Sequence, residues 1–225
     1  MLFALGEPVA FAALVVAFLL ALVLRAVAIR LTARTLGLAD RRETVSPRLR
    51  EDIDPFGAVA AAVGGTGWGK VITVDEVPRF RGRGRAAAVF LAGPLTCIVV
   101  AQLGFAAYAL STDLNLLTYL RPGEILHAGL GLPVLDQVLL SLATGLLAFG
   151  LLALIPIPPL DGFGALWSAQ KRAGPGMQWM RLWFEDKNLG VLILLIFCFF
   201  PLGYPLLLTI LDVLGVLFLR IWGQV

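Results

Sequence analysis

"LLALIPIPPLDGFGAL", residues 151–166, decides how this chain is read. Its first half is apolar enough to finish a membrane helix. Three prolines follow, Pro156, Pro158 and Pro159, and then a single carboxylate, Asp161, between Leu160 and Gly162. Proline removes a backbone donor and biases the residue before it toward extended conformation. The stretch therefore predicts a helix end, an extended step and a new short helix near Gly162. A lone carboxylate at the edge of hydrocarbon is costly and needs a partner, a metal ion or a proton.

The surroundings are apolar throughout. Of 225 residues 59% are hydrophobic and only 15% charged, and the mean hydropathy is +0.90, unlike a soluble domain. Residues 9–29, 86–110 and 134–155 each approach the roughly 20 apolar residues that span a bilayer. A longer apolar block, 189–222, contains Pro201, Gly203 and Pro205. We read it as a helical hairpin hinged there, a single kinked helix being the alternative. The fold class is an all-α integral membrane protein, one domain over 1–225 with about four to five transmembrane helices. The first apolar run is too long for a signal-peptide core and lacks a basic leader, so no cleavage is expected.

Residues 30–85 carry eleven of the eighteen Lys and Arg residues, whereas 111–133 carries only Arg121. Lys171, Arg172, Arg181 and Lys187 fall in 160–188. The positive-inside rule puts 30–85 and 160–188 in the cytoplasm, with the N-terminus and 111–133 outside. Arg220 then returns to the cytoplasm only if the last block forms the hairpin. Asp212 either pairs with Arg220 or faces a partner subunit. Ala-, Gly-, Leu- and Arg-rich usage suggests a bacterial cytoplasmic membrane.

"DPFGAVAAAVGGTGWGKVITVDEVPRF", residues 54–80, changes from glycine-rich to β-branched. It predicts a membrane-edge loop and then a short β-hairpin or loop at 66–80, packed between helices because irregular backbone at membrane depth must be covered. "GGTGWGKV" imitates a phosphate-binding loop, but Val71 stands where a magnesium-binding Ser or Thr belongs, and a strand-like run follows where a helix should start. Nucleotide binding is excluded on that ground, and nucleic acid by the formal charge of only +3 without aromatic–basic interleaving. Trp68 reads as an interfacial anchor. Cys97 and Cys198 lie in apolar runs and read as small buried hydrophobes.

Four stretches, in order over residues 15–165, resemble the site-2 protease family, the intramembrane zinc metalloproteases. "VLRAVAIRLTARTLGL" resembles the stretch in which the family's H-E-x-x-H precedes A-x-x-L-G. "DIDPFG" with "GWGKVITV" resembles H-I-D-P-x-G and G-W-A-K-P-V-P-V of a bacterial subgroup. "LAGPLTCIVVA" resembles A-G-P-x-x-N-x-x-x-A, and "LIPIPPLDGF" resembles N-x-x-P-I-P-P-L-D-G.

The resemblance implies a zinc site that this chain lacks. Such a site needs three protein ligands, an open position for water and a nearby Glu as base. The H-E-x-x-H positions read Arg25-Ala26-Val27-Ala28-Ile29, so both imidazoles and the base are missing. Asp161 alone remains of the ligand set, Cys97 and Ala153 stand where the family has Asn, and the single histidine, His127, lies in the segment assigned outside. Neither metal nor any other cofactor is expected. In the family fold the Arg25 and Asp161 positions face one metal, so we expect an ion pair between them in a vestigial site, with Ile29, Cys97 and Ala153 as neighbours. The alternative is that Arg25 snorkels to the interface while Asp161 caps the helix near Gly162.

The resemblance thus implies an inactive relative that binds other integral membrane proteins, as an accessory or scaffold subunit embedded in the bilayer. Trp68, Lys70, Val71 and Thr73 are the candidate partner-binding residues, because a strand edge there can pair with an extended partner. Trp167, Trp179 and Trp183 offer interfacial anchors. Two other classes remain: an active protease with unconventional ligands, and a transporter component, for which the spans carry few polar residues.

Overall fold

The computed structural model describes residues 1–39, 44–112, 116–127, 130–199 and 205–223. Among these, three helices are long and apolar enough to cross a membrane: α1 (Pro8–Thr35), α4 (Arg83–Ser111) and α6 (Val134–Leu154). Between α1 and α4 lie the single turn α2 (Leu49–Asp52) and the short helix α3 (Pro55–Gly64). The short α5 (Pro122–His127) separates α4 from α6. After α6 come α7 (Asp161–Ala169), α8 (Pro175–Met180), a π-helical segment Arg181–Asp186, α9 (Leu189–Phe199) and α10 (Leu206–Arg220).

The helices α1, α4 and α6 pack against one another, and α7 closes against α4. Small residues set the spacing, because lipid offers no hydrophobic drive and helices gain by close approach. A Cβ on Gly145 of α6 would stand 2.6 Å from Ala17 Cβ, and one on Gly104 of α4 would stand 2.9 Å from Ala143 Cβ. The face between them buries Leu14, Leu22, Phe105, Leu147 and Phe149, and Phe18 meets Phe149 edge-on at 6.1 Å. Leu19, Leu20, Leu95, Val99 and Leu103 point outward, the pattern of helices with apolar surroundings. At one end the Glu7 carboxylate accepts from the Gln137 amide and, at 3.2 Å, from the Gly131 N–H, tying the start of α1 to the start of α6.

Residues 55–64 are helical where the sequence predicts a loop, and of the hairpin and loop expected at 66–80 the loop is found. Residues 55–64 form α3: the Asp54 carboxylate accepts from the Phe56 and Gly57 N–H groups at 2.8 and 3.0 Å, Pro55 holds the first position, and Gly65 at φ 86° ends the helix. The chain then returns along α3 so closely that a Cβ on Gly57 would fall 2.0 Å from the Trp68 carbonyl oxygen. Glycine there reports close packing, not a hinge. Among the described residues there is no strand. Residues 66–80 are a loop with one isolated antiparallel bridge, Ile53 to Gly69, and a turn, leading into the 3-10 turn Arg79–Arg81.

The last apolar block divides into α9 and α10, with Pro205 just before α10; Pro201 and Gly203 lie outside the described residues. A Cβ on Gly190 would stand 2.0 Å from the Pro158 carbonyl oxygen, so α9 begins beside the proline segment. The far end of α10 sits elsewhere: Trp222 Nε1 donates to Gln102 Oε1 at 3.0 Å and Thr118 Oγ1 to the Gly223 carbonyl at 2.7 Å. Arg220 therefore does not return to the basic end as the hairpin expectation required. The reason is local: Asp212 accepts from the Gly123 N–H at 2.6 Å and Gly215 packs on Pro122, which seats α10 against α5. Asp212 thus binds the start of α5, a role outside the two that the sequence offers.

Candidate functional site

Arg25 lies in the C-terminal half of α1, and Asp161 is the first residue of α7. The proline segment brings them together by ending α6 and turning the chain back. The Pro158–Pro159 peptide is cis. A Cβ on Gly162 would fall 2.1 Å from the Leu154 carbonyl oxygen, so no side chain fits where α7 starts against the end of α6. Arg25 Nε donates to Asp161 Oδ2 at 2.6 Å and Nη2 to Oδ1 at 2.5 Å, a two-pronged bond between fork and carboxylate. The third nitrogen, Nη1, donates to the Lys70 carbonyl at 3.0 Å. Arg25 is 7% exposed and Asp161 4%. Arg25 therefore does not reach out to an interface, and α7 has no side-chain cap.

The neighbours explain the fit. A Cβ on Gly93 of α4 would lie 2.6 Å from Arg25 Cγ and 3.2 Å from Ile29 Cδ1, so only glycine leaves room for the arginine stem. Cys97, one helical turn further on α4, is fully buried, donates weakly to the Ala21 carbonyl at 3.6 Å and lies within electrostatic range of both charges. Ile29 and Ala153 are buried.

A second ion pair, which sequence reading missed, extends the site. Arg30 on α1 pairs with the Asp52 carboxylate and donates to the Ser46 carbonyl at 2.9 Å. Asp52 also accepts from the Arg48 N–H at 2.8 Å, and its own carbonyl takes the Lys70 N–H at 2.8 Å. The available signal was the first acidic residue of "DIDPFG", which follows the basic end of α1 in the chain. Together these groups wall a cavity of about 260 Å³ whose lining includes Arg25, Ile29, Arg30, Asp52, Lys70 and Glu76.

The candidate partner residues separate. Trp68 is 3% exposed and packs on α3, so it is no interfacial anchor. Lys70 spends both backbone groups inside the chain, on Asp52 and Arg25. Thr73 is turned onto Glu76 by its N–H and hydroxyl at 3.2 and 3.0 Å. Val71 and Ile72 make no backbone–backbone hydrogen bond among the described residues. Trp167 is buried, whereas Trp179 and Trp183 are exposed. His127 ends α5, whose neighbours are α10, α6 and the first turn of the chain.

The donor set does not suit zinc. Asp161 has both oxygens on a guanidinium that would repel a cation, the Cys97 thiol is a second candidate donor nearby, and no three His, Cys, Asp or Glu cluster among the described residues.

What these features define is a bundle of membrane-type helices with a buried ion pair beside a cavity of mixed charged and apolar lining. Over 163 residues, 71% of this chain and 67% of its relative, the sequence is 29% identical to the Bacillus subtilis (strain 168) protein described as "Putative zinc metalloprotease YwhC". That similarity suggests a site-2-protease-like relationship. No family model matches the chain, and no solved structure matches it.

Proposed function

We propose that the chain is a catalytically inactive, site-2-protease-like protein that serves as an accessory, scaffold or binding subunit of a larger membrane-protein complex. The carrying observation is the two-pronged Arg25–Asp161 bond. At the positions where the resemblance implies the first and third metal ligands, a fixed cation holds the carboxylate. A guanidinium stays charged at any working pH, so it acts neither as a base nor as a metal ligand. What persists is a shaped cleft. Ile72 lines it, the backbone of Ile72 and its chain neighbour Val71 makes no backbone–backbone hydrogen bond among the described residues, and strand addition is how such backbone recruits an extended segment. We assign the basic end to the cytoplasm of a bacterial cell, with the N-terminus outside and α9 with α10 completing a fourth crossing.

One observation favours a second reading: the relative's description names a zinc metalloprotease. On that reading the protein is an active protease with unconventional ligands and carries zinc. The scaffold reading is tested by purification of the full chain in a mild detergent, with identification of co-purifying chains. A defined membrane-protein partner, lost on Val71→Pro or Ile72→Pro, is the expected result. Recovery of a monomer without companions contradicts it.

A further inference from the structure

The basic end carries a second cavity, away from the ion pair and about 810 Å³ in volume, whose lining includes Arg79, Lys171, Arg172, Arg181, Trp179 and Asp186. Four cations face one carboxylate. Two of them build the walls: Arg79 Nη2 donates to the Gln170 and Lys171 carbonyls at 3.1 and 3.2 Å, and Arg181 pairs with Asp75 while its guanidinium lies 5.4 Å above the Trp167 ring. The other two, Lys171 and Arg172, are exposed and make no ion pair among the described residues. The built walls and the two uncommitted charges make a receptacle for an anion.

Its position says which anion. The cavity borders α8 and the π-helical segment, which lead through Lys187 and Asn188 straight into the wholly apolar α9. On that stretch Trp179 is 56% exposed, Leu182 48% and Trp183 36%. The two indoles lie 6.2 Å apart, and Lys187 Nζ sits 4.0 Å from the Trp183 ring centre. Exposed indoles and a leucine beside cations, just before an apolar helix, are the composition of a segment lying at headgroup depth. There the anion within reach is a lipid phosphate. A zwitterionic headgroup brings its own ammonium to the same cations, so an anionic headgroup is favoured.

We infer that this cavity holds the headgroup of an anionic phospholipid, with its phosphate on Lys171 and Arg172 and its glycerol region against Trp179 and Trp183. The inference rests on the membrane setting of α9 and not on loss of catalysis, so it survives if zinc is found.

The full chain, reconstituted in phosphatidylcholine bilayers, is titrated with phosphatidylglycerol or phosphatidylcholine carrying brominated chains, and tryptophan quenching is followed. Phosphatidylglycerol should quench at about tenfold lower mole fraction than phosphatidylcholine. Lys171→Gln with Arg172→Gln, both at exposed positions, should make the two curves coincide. Trp179→Phe with Trp183→Phe should remove the phosphatidylglycerol-specific part. Coincident curves in the unaltered protein overturn the inference, as does a preference that outlasts either double substitution. Relief of quenching by millimolar inorganic phosphate overturns it in favour of a free-phosphate site.

Discussion

A guanidinium and a carboxylate taken together out of water need good mutual geometry and further hydrogen bonds to offset their lost hydration. Arg25 makes one bond from each of its three nitrogens, two to Asp161 and one to the Lys70 carbonyl. Removing either charge leaves the other buried and unpaired, which typically costs about 3–5 kcal/mol. Arg25→Ala and Asp161→Ala should therefore each lower the unfolding midpoint in detergent steeply. The exchange Arg25→Asp with Asp161→Arg should recover part of the loss; failure to recover any would mean the two residues act independently. Both charges stand out in the sequence because aliphatic neighbours surround them. Their contact geometry is less legible, since it depends on the missing side chain of Gly93, on a different helix. The burial of Trp68 is hidden for a similar reason: its surface is covered by α3, and glycine and alanine give little sign of the helix that does the covering.

At the scale of elements, long apolar runs are readable and short packed ones are not. The expected spans at 9–29 and 86–110 fall within α1 and α4, and 134–155 matches α6, because about twenty apolar residues leave few choices in lipid. Glycine and alanine over 55–64 point to a loop, yet an Asp-Pro cap starts α3 there and close packing against 65–69 needs those small residues. The π-helical segment carries a testable charge. Glu185 accepts from the Val74 N–H at 3.4 Å and lies 4.0 Å from Arg181. Burial nevertheless dominates and raises its carboxyl above the ordinary range, with Asp186 and Asp75 adding to the rise. A raised carboxyl means that the folded state holds the proton more tightly than the unfolded chain. Its contribution to stability is complete below the ordinary carboxyl range and lost as pH rises through the raised value. Between mildly acidic and neutral pH the unfolding midpoint should fall, and Glu185→Gln should flatten that fall. An unchanged slope would show that Glu185 does not carry it.

At the scale of the whole molecule, the ion pair sits where the three long helices and α7 converge. The bundle of α1, α4 and α6, closed by α7, brings two distant charges to a buried point. On the proposed reading, that point is where a protease of the resembled type would set a metal and water, and Arg25 takes their place. Charge counting along the chain misjudges the last block, because one arginine weighs less than the seat that Asp212 and Gly215 make against α5. If Arg25 stands in for the metal, as proposed, elemental analysis of the purified full chain, isolated without chelators, will show it. Zinc far below one equivalent, unchanged by Asp161→Asn, is the predicted result. One equivalent of zinc that disappears on Asp161→Asn would contradict that substitution of guanidinium for metal and return hydrolysis to the site.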